Sequence, residues 1–167
     1  MYLKEFNQLS ASNKKAMLRH CVNISSWVDA ITQHEAFNSI EQLLSFAWQQ
    51  AQSWSWNEIK QSLDLHPRIG ERKAHQTLSE KEQAFSNKEQ AAIKMDHKTQ
   101  KALKQGNQAY EKKFGFIFLI KAYGLNAEEI LIALNYRLNN DLKTEQKIVH
   151  QQLMEIALLR LSKEIQS

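Results

Sequence analysis

The chain has 167 residues and a net charge of +4; its 43% hydrophobic and 24% charged residues are ordinary globular usage and suit one domain. Because acidic residues are interleaved with the basic ones, no basic stripe forms, and we expect no nucleic-acid partner. The longest apolar run, residues 114–120, is too short to cross a membrane. One proline and four glycines are too few for the many turns of a sheet, so long helices are expected.

The single cysteine and the first ten residues bear on location. Cys21 has no second cysteine with which to form an internal disulfide, and it shows no metal-ligand spacing. Residues 1–10 lack the basic and then apolar layout of a signal peptide. We therefore expect a cytoplasmic protein.

Helical periodicity runs through the first third of the chain. Ser10 or Ser12 can cap a helix that ends near Cys21. Ser39 followed by Gln42 forms a capping-box pattern that opens another helix. The helices predicted in this part contain residues 11–21, the surroundings of Trp27 and Ile31, residues 40–51 and residues 56–65.

A turn and a second helical stretch follow. Residues 66–70 have turn chemistry, and residues 71–78 are predicted as a polar loop. Capping-box patterns at 79–82 and 86–89 open helices, the second of them long, polar and reaching about residue 113. Residues 114–122 are apolar on all sides and predict a buried helix or a helix start.

The last two helices are predicted from Asn126 to about residue 138 and from Thr144 to about residue 165. No repeat or low-complexity tract interrupts the chain. The sequence therefore predicts a single all-α domain over residues 1–167, built as a bundle of about seven to nine helices.

His66 is the first candidate for chemistry. Because proline excludes a helical conformation for the residue before it, His66 should lie in extended backbone just outside a helix. Histidine titrates near neutral pH, so it can donate or accept a proton. Taken alone, His66 favours the simpler interpretation, in which it only ends a helix and its ring satisfies a local carbonyl.

Ser79 and Glu82 have two compatible interpretations. As a capping box, each side chain satisfies a free backbone N–H. The same helix N-terminus presents N–H groups and the positive end of a dipole, which suits an anionic or carbonyl-rich ligand. Spacing alone favours the capping role.

Arg160 falls on a predicted helix face whose other members, Val149, Leu153 and Ile156, are apolar. Since a guanidinium keeps its proton, burial would demand a partner. That partner is a structural carboxylate or a substrate carboxylate, unless the side chain reaches the edge of the face. Residues 116–120 likewise form either core or the dry wall of a pocket.

Four motifs together resemble one family. They are His66-Pro67-Arg68-Ile69-Gly70, Ser79 with Glu82-Gln83, Lys113-Phe114-Gly115-Phe116 with Phe118, and Leu159-Arg160-Leu161. Their order and spacing resemble the 2-oxo-4-hydroxy-4-carboxy-5-ureidoimidazoline (OHCU) decarboxylases over nearly the whole chain. Asn107 with Tyr110 adds to the agreement. Arg68 departs from the pattern, since many members have aspartate there, and Glu71-Arg72 is a second departure.

The resemblance implies an all-α homodimer that converts OHCU to (S)-allantoin and CO2 in urate and purine degradation, without metal or organic cofactor. It implies that His66 and Glu82 are catalytic. From the chemistry of the reaction we hypothesise that His66 polarises or deprotonates the 4-hydroxyl and that Glu82 holds the ureido N–H groups. The substrate-binding residues that it implies are Pro67, Ser79, Glu80, Lys81, Glu82, Gln83, Phe118, Leu119, Ile120, Lys121, Ala122 and Arg160.

Two other classes of function remain open on the residues alone. A non-catalytic helical interaction module would scatter His66, Glu82 and Arg160 in space. A basic helical nucleic-acid binder would gather lysine and arginine on one contiguous face and would bind in a salt-sensitive way. The sequence has no phosphate-binding glycine loop, nucleophile elbow, zinc pattern or dinucleotide fingerprint.

Overall fold

The computed structural model describes residues 1–70, 84–85 and 96–167. In these ranges the chain forms eight helices and no strand beyond an isolated bridge between Tyr2 and Gln166. The helices are α1 (Leu3–Gln8), α2 (Ala11–Cys21), α3 (Ser25–Gln33), α4 (Ile40–Gln52), α5 (Trp56–Leu63), α6 (His97–Phe114), α7 (Ala127–Arg137) and α8 (Leu142–Glu164). The prediction of an all-α fold is confirmed.

The chain divides into two compact units, the first comprising Met1–Ser62 and Met154–Ser167. Its core forms because each helix turns an apolar face inward at helical spacing. In that core Trp27 is almost fully buried; its Nε1 donates to the carbonyl of Ala47 at 2.9 Å, and its ring meets Trp54 edge-on. A burial of this kind satisfies the indole N–H while removing a large apolar surface from water.

Serine side chains begin two helices of the first unit. The Ser10 hydroxyl accepts from the N–H of Asn13 at 3.2 Å, so Ser10 and not Ser12 is the cap of α2. The Ser39 hydroxyl accepts from the N–H of Gln42 at 3.1 Å. The Gln42 side chain accepts from the N–H of Asn38 instead of that of Ser39, so the predicted capping box is only half formed.

The second unit, Leu63–Leu153, contains α6, α7 and the first part of α8. Two of its helices begin at acidic caps: Asp96 accepts from the N–H of Thr99, and Asp141 accepts from that of Thr144, both at 2.7 Å. The prediction that α8 starts at Thr144 was therefore two residues late. The predicted capping boxes at residues 79–82 and 86–89 lie outside the described residues.

Residues 114–122 do not form the predicted helix. The helix α6 ends at Phe114, and Gly115 follows with a left-handed φ of 81° while its N–H bonds to the carbonyl of Glu111 at 2.8 Å. Glycine adopts this conformation without a steric penalty, which makes it a common helix terminator. From residue 117 to 122 the chain has no regular secondary structure.

The helices α6 and α7 approach closely at Gly106. A Cβ atom added there would lie 2.5 Å from Cδ2 of Leu134, which is fully buried. We therefore expect Gly106→Val to lower the free energy of unfolding by about 1–3 kcal/mol through overpacking. Urea unfolding measures the change. The exposed Ala109→Val on the same helix is the control, and an equal loss in both variants would contradict the close packing.

Among the described residues, no helix combines the length and the apolar character needed to cross a bilayer.

Candidate functional site

The turn that carries His66 begins where α5 ends. The N–H of His66 bonds to the carbonyl of Leu63 at 2.9 Å, which closes the last turn of the helix. Pro67 then prevents the helix from continuing. His66 and Pro67 are both half-buried, and Gly70 ends the motif with a φ of 83°. His66 thus lies just outside a helix, as predicted.

Two side chains of α6, four residues apart, form hydrogen bonds that hold the loop at residues 66–70 in place. Asn107 donates from Nδ2 to the carbonyl of Ile69 at 3.0 Å. Glu111 binds Arg68 with two oxygens, at 2.9 Å from Nε to Oε2 and 2.8 Å from Nη2 to Oε1. The Arg68 side chain is 41% exposed, so this pair contributes geometry more than stability. Arg68, which departs from the family pattern, therefore has the Glu111 carboxylate of the same unit as its partner.

Asn107 offers a direct test of this fastening. Its side chain is buried, and Asn107→Ala leaves the carbonyl of Ile69 without that donor. We expect the free energy of unfolding to fall by about 1–3 kcal/mol, the usual cost of an unsatisfied buried polar group. Chemical denaturation measures it, with the exposed Gln108→Ala as control. Equal stability of the two variants would show that the bond to Ile69 is unimportant.

A pocket of about 410 Å³ opens beside the turn. Its lining combines charged and polar side chains with apolar ones, and the described residues involved are Leu63, Asp64, His66, Arg68, Glu111, Gly115, Phe116 and Ile117. Of the predicted site residues that the structure describes, His66 alone is in this lining. Within the same described part, no group of three or more His, Cys, Asp or Glu side chains is arranged to hold a metal ion.

The predicted substrate-binding stretch, residues 118–122, directly follows Ile117, a residue of the pocket lining. Phe118, Leu119 and Ala122 are buried, whereas Ile120 and Lys121 are half-buried. The Phe118 ring meets the ring of Tyr110 edge-on at 5.2 Å. Part of the stretch therefore belongs to the core of the second unit, and the rest is accessible.

A buried ionic cluster underlies this stretch. Glu145 is fully buried, and its Oε1 accepts from Nε of Arg137 at 2.6 Å and from the hydroxyl of Tyr110 at 2.5 Å. Its Oε2 accepts from Nδ2 of Asn140 at 3.1 Å. Arg137 also donates from Nη1 to the carbonyl of Leu119 at 2.7 Å. The buried charges are thus paired and hydrogen-bonded, which burial requires.

Tyr110 is a fixed donor in this cluster. Burial raises the pKa of its phenol above the ordinary value, and the hydrogen bond to Glu145 raises that pKa further. The phenol therefore keeps its proton throughout the neutral range and donates it to the Glu145 carboxylate.

Arg137 was not among the predicted site residues, although the sequence carries a signal for it. Ile130, Leu134 and Arg137 are spaced as one helix face, and all three are buried. Arg160 shows the same pattern, an arginine on an otherwise apolar helix face. This pattern therefore predicts that both arginines are candidates for burial.

Arg160 is 3% exposed, so its side chain is buried and does not reach the edge of the helix face. It belongs to the first unit, where its Nη1 donates to the carbonyl of Cys21 at 3.3 Å. That contact is to a backbone oxygen and does not decide between a structural and a substrate carboxylate. The remaining predicted residues, Ser79, Glu80, Lys81, Glu82 and Gln83, lie outside the described residues.

The described residues define an all-α protein with a histidine-bearing pocket at the end of a helix. A family model for OHCU decarboxylase matches residues 7–162. The chain therefore belongs to the OHCU decarboxylase family.

Two relatives and one solved structure show how the chain compares. A uric acid degradation bifunctional protein from Bacillus sp. (strain TB-90) is 29% identical over 96% of the chain, which spans only 32% of that relative. A 2-oxo-4-hydroxy-4-carboxy-5-ureidoimidazoline decarboxylase from Haloferax volcanii is 26% identical over 99% of the chain and 96% of the relative. A crystal structure of OHCU decarboxylase in the presence of (S)-allantoin superposes with a TM-score of 0.71 at 23% identity, covering 86% of this chain and 93% of that one.

Proposed function

We propose that this chain is a carboxy-lyase of urate degradation that converts OHCU to (S)-allantoin and CO2 without a cofactor. The observation that carries the proposal is a histidine-lined pocket in a chain whose residues 7–162 match the OHCU decarboxylase family. The Haloferax volcanii relative, which is named as this decarboxylase and is matched over nearly its full length, supports it.

The proposed reaction needs no external electron sink. Loss of CO2 breaks the bond between C4 and the carboxylate carbon, and that electron pair forms a C4=C5 double bond while the imine nitrogen takes up a proton. The resulting enol becomes the ring amide carbonyl of allantoin when the 4-hydroxyl loses its proton and the ureido-bearing carbon gains one. Protonation from one face of the ring sets the S configuration of allantoin.

His66 is the residue that we assign to the 4-hydroxyl, which it polarises or deprotonates as CO2 leaves. A histidine is suited to this role because its protonation changes near neutral pH. Apolar neighbours in the pocket, Phe116 and Ile117, exclude water and strengthen the electrostatic contacts of a bound anion.

The other roles in the proposal rest on the family pattern. Glu82 holds the ureido N–H groups, and Ser79 or Gln83 holds polar atoms of the ring. Arg160 binds an oxygen-rich part of the substrate by paired hydrogen bonds. Pro67, Glu80, Lys81 and the stretch from Phe118 to Ala122 complete the lining of the substrate site in this proposal.

The proposed activity is tested by generating OHCU in situ from urate with purified upstream enzymes and following circular dichroism. Spontaneous decay gives racemic allantoin, which leaves no lasting signal. We expect a dichroic signal of (S)-allantoin that appears faster in proportion to the protein added. An unchanged decay rate with racemic product would favour the alternative of a non-catalytic helical interaction module.

We also propose that the protein is a homodimer in the cytoplasm. The family resemblance supports the dimer, and the absence of a second cysteine in the sequence suits a reducing compartment. Sedimentation velocity at micromolar concentration tests the first statement, and a single species of 19.5 kDa would contradict it. Cell fractionation tests the second.

A further inference from the structure

We propose that Arg137 and Gln152 are positioning residues for the decarboxylation, because they hold the backbone of residues 118–122 in the conformation that the substrate requires. The inference rests on the proposed function, in which these five residues line the substrate site. We assign neither Arg137 nor Gln152 a contact with the substrate.

The backbone N–H and C=O groups of this stretch need hydrogen-bond partners from other parts of the chain. Residues 117–122 have no regular secondary structure, so no helix ladder satisfies their N–H and C=O groups. The carbonyl of Leu119 accepts from Nη1 of Arg137 at 2.7 Å. The N–H of Lys121 donates to Oε1 of Gln152 at 2.8 Å. Side chains of α7 and α8 therefore hold the stretch at two points two residues apart.

Arg137 is itself held on several sides. Its Nε donates to Oε1 of Glu145 at 2.6 Å, and its guanidinium carbon lies 4.5 Å from the centre of the Phe118 ring. The planar guanidinium of an arginine has enough donors to make these contacts and still donate to the Leu119 carbonyl, whereas the ammonium of a lysine does not. Because Glu145 holds the Arg137 side chain in place, Arg137 in turn fixes the position of the Leu119 carbonyl.

The accessible half of the stretch is the part that this arrangement fixes. Leu119 is buried, whereas Ile120 and Lys121 are half-buried and can face a ligand. Because a binding surface that has to be ordered when the ligand arrives loses affinity, a stretch freed from either anchor should bind OHCU less tightly. Loosening either anchor should therefore weaken substrate placement without removing any reacting group.

Gln152→Met and Arg137→Lys test the inference in the decarboxylation assay. Methionine keeps the length of Gln152 but accepts no hydrogen bond of comparable strength from Lys121, and lysine keeps the charge opposite Glu145. We expect KM for OHCU to rise about tenfold or more in each variant, because the loosened stretch must be ordered when the substrate binds. A merely structural defect would lower the apparent kcat with the folded fraction and leave KM unchanged.

Two control variants separate the anchors from their surroundings. Gln151→Met changes the exposed neighbour of Gln152. Tyr110→Phe removes a hydrogen bond to Glu145 but leaves the bonds at Leu119 and Lys121 in place. Both controls should keep the wild-type KM, although Tyr110→Phe should lower the thermal midpoint.

Wild-type KM in Gln152→Met overturns the inference even if Arg137→Lys fails to fold, since the half-buried Gln152 can be replaced without disturbing the ion pair. Its failure is distinguishable from that of the proposed function. If the wild-type protein turns over OHCU and the variants match it, only the inference is wrong. If the wild-type protein gives no stereospecific turnover, both are wrong.

Discussion

His66→Asn is expected to lower the rate of (S)-allantoin formation ~10²- to 10⁴-fold, the range that a positioned acid or base contributes. Asparagine keeps a polar side chain of similar reach but cannot exchange a proton near neutral pH. His66 is half-buried beside the 410 Å³ pocket, so the replacement should leave the fold intact. The measurement is the initial rate of the dichroic signal with OHCU generated in situ.

The matched control for this prediction is His97→Asn. His97 is exposed at the first position of α6, in the same unit as His66, and has no proposed role in the reaction. We expect its rate to equal that of the wild type. A folded His66→Asn variant with wild-type turnover would remove His66 from the chemistry, whatever the activity of the chain.

Glu145→Ala is expected to cause the largest loss of stability, about 3–5 kcal/mol, because it leaves the Arg137 guanidinium buried without its counter-charge. Glu145 is fully buried, and the Arg137 side chain is 7% exposed, so water cannot replace the carboxylate. The phenol of Tyr110 loses its acceptor in the same variant. Urea unfolding followed by far-ultraviolet circular dichroism measures the free energy.

Two variants calibrate this loss. Glu128→Ala, at an exposed position in the first turn of α7, should leave the free energy of unfolding nearly unchanged. Replacing both Arg137 and Glu145 with methionine should recover much of the loss, because two apolar side chains leave no unpaired charge. A loss below about 1 kcal/mol in Glu145→Ala would show that the pair is solvated in solution.

The local part of the fold was predictable because its causes are local. The Asn126 carboxamide accepts from the N–H of Glu129 at 2.8 Å, and Glu129 accepts in return from the N–H of Asn126 at 3.0 Å, so α7 begins at the asparagine where a helix was predicted to begin. The position of His66 after a helix follows from Pro67 for the same reason. Such signals lie within four residues of the feature that they determine.

The stretch after Phe114 was mispredicted because its causes are distant in sequence. A segment that is apolar on every side has no periodicity that separates a helix from buried extended chain. Its conformation depends instead on hydrogen bonds from Arg137 and Gln152, which follow Leu119 and Lys121 by 18 and 31 residues. Only tertiary structure brings these partners together.

In the candidate site, too, local features were predictable from the sequence and distant contacts were not. His66 lines a pocket, and its role there remains a prediction. Its surroundings were not predictable, since Asn107 and Glu111 come about forty residues later in the chain. Arg160 is buried, which excludes the alternative in which its side chain reaches the edge of the helix face, and its contact with the substrate remains a prediction. The roles of Ser79 and Glu82 also remain predictions.

The enantiomeric excess of allantoin formed from OHCU generated in situ, measured side by side for the wild-type protein and His66→Asn, distinguishes catalysis by His66 from spontaneous decay. We expect almost pure (S)-allantoin from the wild type and racemic allantoin from the variant, as in the spontaneous reaction. Racemic product from both proteins would contradict the proposed activity. Equal excess of (S)-allantoin from both would contradict the assignment of the chemistry to His66.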